Sequence, residues 1–233
     1  MTPEERSKRV QTMFSQIAGR YDLMNRVMTG GRDIAWRRAA VRELKLPKNG
    51  HCLDLATGTG DLAFAVLEQF PDAKVVGMDF SEGILRGAVK KSIDRAENRT
   101  TWGVGDALAL PYDNAQFDGI TNGFLLRNVV DLPRCLQELR RVTKPGGRVV
   151  CLEITHPQTP IFKQLFHIYF YKFVPIIGGI ISGDRHAYRY LPNSLSLFPP
   201  AKPLLQKFQE AGYRESYYKL LGLGTMAIHF GIA

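Results

Sequence analysis

Residues 53–63 read LDLATGTGDLA: a short apolar run, a turn carrying Gly58 and Gly60, and the start of a helix. This strand–turn–helix unit constrains the chain most, because the downstream sequence keeps alternating in the same way. Helical spacing covers 61–70, a strand 74–79, a helix 81–95 capped by Ser81, and a strand 100–104. Further strands are expected at 117–122 and 148–153, with a helix at 132–142 between them. Alternation of this kind implies a parallel sheet with right-handed crossovers. Residues 201–211 read as a helix, and 213–220 with 226–232 as a hairpin closing one sheet edge. The expected fold is α/β and Rossmann-like: a mostly parallel seven-stranded sheet, helices on both faces, and an antiparallel C-terminal edge hairpin.

At 233 residues the chain suits one such domain with elaborated ends. Residues 1–45 read as a cap of short amphipathic helices, 50–155 as the ligand-binding core, and 200–233 as the C-terminal helix and hairpin. Residues 156–199, rich in aromatics, Pro and Gly, fit no strand–helix unit and read as a lid. No segment offers the roughly 20 uninterrupted apolar residues of a spanning helix.

In open α/β sheets the glycine turn sits at the carboxyl ends of the strands, where ligands bind. Gly58 to Ala63 also matches the dinucleotide pattern GxGxxA, so charge must separate the readings. A pyrophosphate needs a helix N-terminus free of carboxylates. Here Asp54 precedes the turn and Asp61 follows it, the latter expected to N-cap its helix. Acids there suit a cationic, phosphate-free ligand and disfavour a nicotinamide dinucleotide. Asp79 ends the second strand, placed for ribose hydroxyls, and Asp106 ends the third, placed for an adenine amine. Three acids on three successive strand ends read as the S-adenosyl-L-methionine site of a class I methyltransferase. Phe80 and Ala107 belong to the same expected site.

The chain also resembles the ubiquinone/menaquinone C-methyltransferase family, the UbiE type, nearly end to end. The resemblance rests on YDLMN (21–25) with Trp36 downstream, LDLATGTGD, FLLRNVVDL (124–132) and RVTKPGGRVVCLEIT (141–155). Thr29 and Thr155 replace the family's usual serines, and Asp33 stands where histidine is common. The resemblance implies methyl transfer from S-adenosyl-L-methionine to a ring carbon of a prenylated quinol, with Thr59, Asp79, Asp106 and Ala107 at the cofactor. Gly123 replaces a frequent serine, which leaves a backbone contact only.

Methylating such a carbon is easiest when a neighbouring hydroxyl ionises. A phenol-like pKa near 10 makes this cost about 4 kcal/mol at neutral pH, which a fixed cation can offset. Arg127, just beyond the fourth strand, is the candidate cation; its alternative is a salt bridge to Asp131 one helical turn away. Asn128 and Tyr21 are the candidate positioners of quinol oxygens. Arginine is not a base, so the proton leaves through water, a carboxylate or His156. Glu153 faces the same edge as Asp54. His51 and His229 read as structural, and Pro145–Gly147 as a turn before strand five. No metal is required and no ligand cluster is evident.

Lys and Arg total 31 against 22 Asp and Glu, a net charge of +9. The excess suits anionic lipid head groups or nucleic acid. No nucleic-acid-binding signature accompanies it, and NGFL stands after strand four where base N-methyltransferases carry an acidic N/D-P-P-Y/F type motif, so no nucleic acid partner is expected. In 162–181 aromatics interleave with Lys163, His167 and Lys172, as in a helix lying on a membrane surface; covering the core or a homodimer contact is the alternative. Cys52, Cys135 and Cys151 form no paired framework and suit a reducing compartment. The expected location is the cytoplasm, peripheral to the inner face of the membrane.

Overall fold

The structure is a computed structural model that describes residues 3–182 and 192–233. Five parallel strands run β1 (His51–Leu55), β2 (Lys74–Asp79), β3 (Thr100–Val104), β4 (Phe117–Gly123) and β5 (Thr143–Ile154). Two antiparallel strands, β6 (Arg214–Leu221) and β7 (Met226–Ile232), complete a sheet of order β3-β2-β1-β4-β5-β7-β6. The order reverses between β1 and β4, which opens a crevice above their carboxyl ends. The expected sheet and edge hairpin are therefore present.

The central strands are buried on both faces, as β1 and β5 require with their near-continuous apolar runs. On one face Leu53, Leu55, Ile120 and Val149 pack with α6 (Leu132–Val142) and α10 (Ala201–Glu210) through Leu136, Leu139 and Phe208. On the other, Cys52, Val150 and Phe230 meet α3 (Arg32–Val41) and α4 (Asp61–Gln69) through Val41 and Phe64. Helix α3, expected in the cap, is thus a sheet-covering helix. The cap proper is α1 (Pro3–Ile17), a 3-10 turn (Ala18–Arg20) and α2 (Tyr21–Thr29). Ser81 caps α5 (Glu82–Asp94), accepting from Ile84 N–H as expected, and its Oγ lies 2.8 Å from Ser15 Oγ of α1.

Two local expectations are corrected, and one is met. Asp61 is not the N-cap of α4: Gly60 holds that position, with no side-chain cap, and Asp61 instead pairs with Arg26 and Lys91. Strand β5 starts at Thr143, so Pro145–Gly147 is an irregularity within it rather than a turn before it; the register jumps from Phe117↔Thr143 to Gly119↔Arg148. His229 is fully buried and held by Ala201 O at 2.8 Å. Burial lowers its pKa to about 4, so it stays neutral, as its structural reading requires.

The lid is helical: α7 (Pro160–Ile168), a π turn (Tyr169–Phe173), α8 (Val174–Ser182) and the short α9 (192–196). Residues 183–191 of the expected lid lie outside the described residues. No described helix is long and apolar enough to cross a membrane.

Gly60 ties the turn to the core. Its φ of +82° is left-handed, and a Cβ there would stand 2.9 Å from the rings of Phe64 and Trp102. Gly60→Ala combines left-handed strain with overpacking, an expected loss of about 2–5 kcal/mol. Urea unfolding checks this; a change below about 0.5 kcal/mol would contradict the packing described.

Candidate functional site

The turn after β1 is shaped by two buried carboxylates. Asp54 lies beside Thr121 in the β1–β4 register and accepts from Thr121 Oγ1 at 2.9 Å and Thr57 Oγ1 at 2.6 Å. Asp79, at the end of β2, accepts from Gly58 N–H at 2.8 Å and Ser81 N–H at 2.9 Å. Neither makes an ion pair with a described residue. Burial pushes the Asp54 carboxyl up to about 6 and raises Asp79 as well.

A cavity opens over this turn. Its walls include Gly58, Asp79, Phe80, Asp106, Ala107 and Gly123 of the expected cofactor set, together with Tyr21 and Asn128, and α1 roofs it through Val10, Gln11 and Phe14. Asp106 steadies its own loop by accepting from Leu108 N–H at 2.9 Å. A Cβ on Gly123 would meet only Leu62 Cδ2, at 3.8 Å, so the space left by a serine side chain is open. Among the described residues, no lysine, arginine or histidine lines this cavity.

Three expected cofactor residues sit elsewhere. Asp54 is fully buried behind the turn, so its charge acts through the turn and not by contact with an occupant. Thr59 turns its hydroxyl to Asp22 of the cap, 2.5 Å away, and Gly60 packs on the core. Asp22 also pairs with Lys91, which joins Asp61, so an ion network fastens α2 to the turn and to α5.

A second cavity of about 500 Å³ lies beneath the cap and lid. It is walled mainly by apolar side chains, among them Met24, Met28, Ile154, Phe166 and Phe170, and it includes Arg127. Phe14, Tyr21 and Phe124 line both cavities and mark where they meet. Phe124 holds a left-handed φ of +64° at the end of β4, the kind of strain that persists when surroundings fix it. Its ring lies 5.0 Å below the Arg127 guanidinium. The Tyr21 phenol is raised by burial, against the opposing charges of Arg37 and Arg127.

Arg127 is not a lone cation, and its partner is not Asp131. Its Nη1 lies 2.8 Å from Glu153 Oε2, both side chains are buried, and Glu153 also accepts from Leu126 N–H at 2.6 Å. Asp131 instead caps α6 by accepting from Arg134 N–H. The pair is neutral overall, so Arg127 offers hydrogen bonds more than charge. Asn128 donates to Phe124 O at 2.7 Å and lines the first cavity rather than the second. His156 lines neither.

Sequence reasoning missed the junction residues Phe14 and Phe124 and the wall residue Asn25. Phe124 opens a motif that the sequence marks, but its positive φ has no sequence signal. Asn25 stands one helical turn after Tyr21, a spacing that places both on one face.

The raised Asp54 carboxyl has a measurable consequence. The native group keeps its proton to about pH 6, whereas the unfolded group releases it near 3.8. The native state therefore binds the extra proton between these values, and its stability falls as pH rises through them, by about 3 kcal/mol in all. Asp54→Asn removes this slope. Urea unfolding from pH 4 to 7 on both proteins should show wild type losing stability relative to the variant; parallel curves would refute this placement of Asp54.

The donor set fits S-adenosylmethionine: carboxylates at two strand ends, glycine at the turn and no cation to receive a phosphate. The family model of the ubiE/COQ5 methyltransferase family matches residues 2–233. A protein of Roseiflexus castenholzii named demethylmenaquinone methyltransferase is 42% identical over 99% of this chain and 95% of its own. One of Thermus thermophilus with the same name is 45% identical over 94% of this chain and 99% of its own. One of Desulfotalea psychrophila, named ubiquinone/menaquinone biosynthesis C-methyltransferase UbiE, is 44% identical over 96% and 89%. A solved SAM-dependent methyltransferase of Aquifex aeolicus superposes with a TM-score of 0.65 at 14% identity, covering 91% of this chain and 97% of that one, and shows the shared fold. The chain belongs to the ubiE/COQ5 methyltransferase family and is an S-adenosylmethionine-dependent C-methyltransferase.

Proposed function

We propose that the enzyme methylates a ring carbon of a prenylated quinol, with a demethylmenaquinol-type naphthoquinol as the first substrate to try. The observation that carries this is the apolar cavity of about 500 Å³ joined to the cofactor cavity at Tyr21 and Phe124. A fused aromatic ring and the first units of an isoprenoid tail match its walls in size and polarity. The names of the Roseiflexus and Thermus relatives support the naphthoquinol, and that of the Desulfotalea relative keeps a benzoquinol in the panel.

Bound S-adenosylmethionine supplies a methyl group on a sulfonium, transferred in line to an electron-rich carbon. The chain holds that donor against Asp79, Asp106 and the glycine turn. Tyr21 and Phe124 set the acceptor ring at the boundary between the cavities, and the cap and lid exclude water, which strengthens every polar contact inside. Arg127, fixed by Glu153, donates to a ring oxygen and favours its ionised form.

Arg127→Ala would leave Glu153 buried and unpaired, at a cost of about 3–5 kcal/mol in stability. The cleaner variant is Arg127→Gln with Glu153→Gln, which removes both charges together. Turnover on the best of a panel of reduced quinones is expected to fall about 100-fold, while calorimetry shows S-adenosylhomocysteine affinity nearly kept. An unchanged rate removes Arg127 from the mechanism. Wild-type inactivity on every reduced quinone ends the substrate reading.

A tailed substrate enters from lipid. Helix α7 presents Ile161, Leu165 and Ile168, 76%, 57% and 40% exposed, at positions i, i+4 and i+7 of one face, with Lys163 and His167 also exposed. Leu165 also lines the second cavity, as does exposed Leu223. This apolar rim with neighbouring basic groups suits an anionic bilayer. Flotation with phosphatidylglycerol-containing vesicles at low salt should carry the protein upward, and Ile161→Ser with Leu165→Ser should keep it in the dense fraction. Wild type that stays at the bottom, or that forms a dimer through this face, rules out the membrane role.

A further inference from the structure

Six buried side-chain nitrogen or oxygen atoms among the described residues have no hydrogen-bond partner, and two of them belong to walls of the second cavity: Asn25 Nδ2 and Arg127 Nε. An unpaired buried donor costs about 1–3 kcal/mol, so two on one apolar cavity call for an explanation. Their placement supplies one. Asn25 lies one turn along α2 from Tyr21, and its amide faces the phenol oxygen, which favours the ionised phenol. No hydrogen bond of normal geometry ties Nδ2 to a described residue, so its N–H groups remain available to an occupant of the cavity. Arg127 is fixed from the other side by Glu153 and the Phe124 ring. Tyr21 and Phe124 are both shared by the two cavities. The two idle donors therefore flank the junction where transfer must occur.

We infer that Asn25 is a substrate-binding residue whose amide N–H, together with Arg127 Nε, holds one ring oxygen of the acceptor beside the cavity junction. The inference rests on the quinol reading and adds a residue and an atom to it. A ring oxygen accepts from both donors at once, and this double anchor fixes the rotation of the ring. The rotation decides which carbon faces the cofactor. The motif residue Asn128, bonded to Phe124 O, then serves the loop and the first cavity.

The probe is 1,4-naphthoquinone, whose carbonyls accept hydrogen bonds and donate none, compared with 1-methylnaphthalene, which has no polar group. Trp36 lines the cavity, so its fluorescence reports binding of either without turnover. Wild type is expected to prefer the quinone about tenfold, the worth of one hydrogen bond. Asn25→Leu and Asn25→Asp both remove the donor, the aspartate at nearly unchanged size; each should lose most of the preference while S-adenosylhomocysteine still binds normally. In methyl transfer, each should raise KM for the reduced quinone more than it lowers kcat. A preference unchanged in either folded variant, or absent from wild type, overturns the inference. Wild type that shows the preference but methylates no reduced quinone overturns the quinol reading and leaves the anchor standing.

Discussion

The arrangement of the whole site depends on one turn, and that turn is held by carboxylates without cations. Asp79 draws in Gly58 and Ser81 through their amide hydrogens, and Asp54 draws in Thr57 while bridging to Thr121 on β4. The second bond fastens β1 to β4 at the place where the strand order reverses. The crevice is therefore braced from beneath by a charge that burial makes expensive. Compensation comes mainly from hydrogen bonds, with a smaller share from the Arg37 charge, so negative potential remains at the turn. A protein with a net charge of +9 thus keeps its cofactor cavity lined by acids and by no basic residue among those described. The cavity suits a cation and rejects a diphosphate.

The cap converts this one turn into two chambers. Asp22 bonds Thr59 within the turn and pairs with Lys91 on α5, while Arg26 reaches Asp61. Those contacts seat α2, which then contributes Tyr21, Asn25 and Met28 to the second cavity. The polar side of the cap meets the donor chamber's frame and its apolar side meets the acceptor chamber. In the proposed reaction a methyl group crosses between them beside the Tyr21 and Phe124 rings, which line both cavities.

How far the sequence foretold this follows from the range of each interaction. Strands and helices obey local periodicity, and the expected elements recur within a few residues of their observed ends. Asp79, Asp106 and Gly58 stand at strand ends that local pattern already locates, so their place on the cavity wall was legible. Asp54 was legible as an acid at the turn but not as one facing inward, because Thr121 comes from a strand 67 residues away in sequence. The same holds for Arg127: local spacing pointed to Asp131, while the partner, Glu153, arrives only when β4 and β5 pair. Gly60 carried a turn signal, yet its packing against Trp102 of β3 could not be read from one strand. Cap residues were hardest, since Asn25 acquires its meaning from a lid and a strand end far along the chain.

The Arg127–Glu153 pair also changes what would stabilise an ionising quinol in the proposed reaction. A lone guanidinium in this chamber would attract the developing phenolate, but it would also repel the sulfonium that the first chamber is shaped to hold. Two like unit charges in neighbouring chambers, at an effective dielectric near 20, repel by an amount that weakens cofactor binding. Pairing Arg127 lessens that conflict and keeps its N–H groups fixed in place. Donors that carry little net charge stabilise an oxygen in proportion to the charge it develops and leave the donor chamber's potential nearly untouched. In the proposed mechanism a bound sulfonium would supply the positive field for ionisation, and only when the cofactor is loaded. On that proposal, activation of the acceptor is tied to the presence of the methyl donor by electrostatics, and the fixed Arg127–Glu153 pair needs no movement for it.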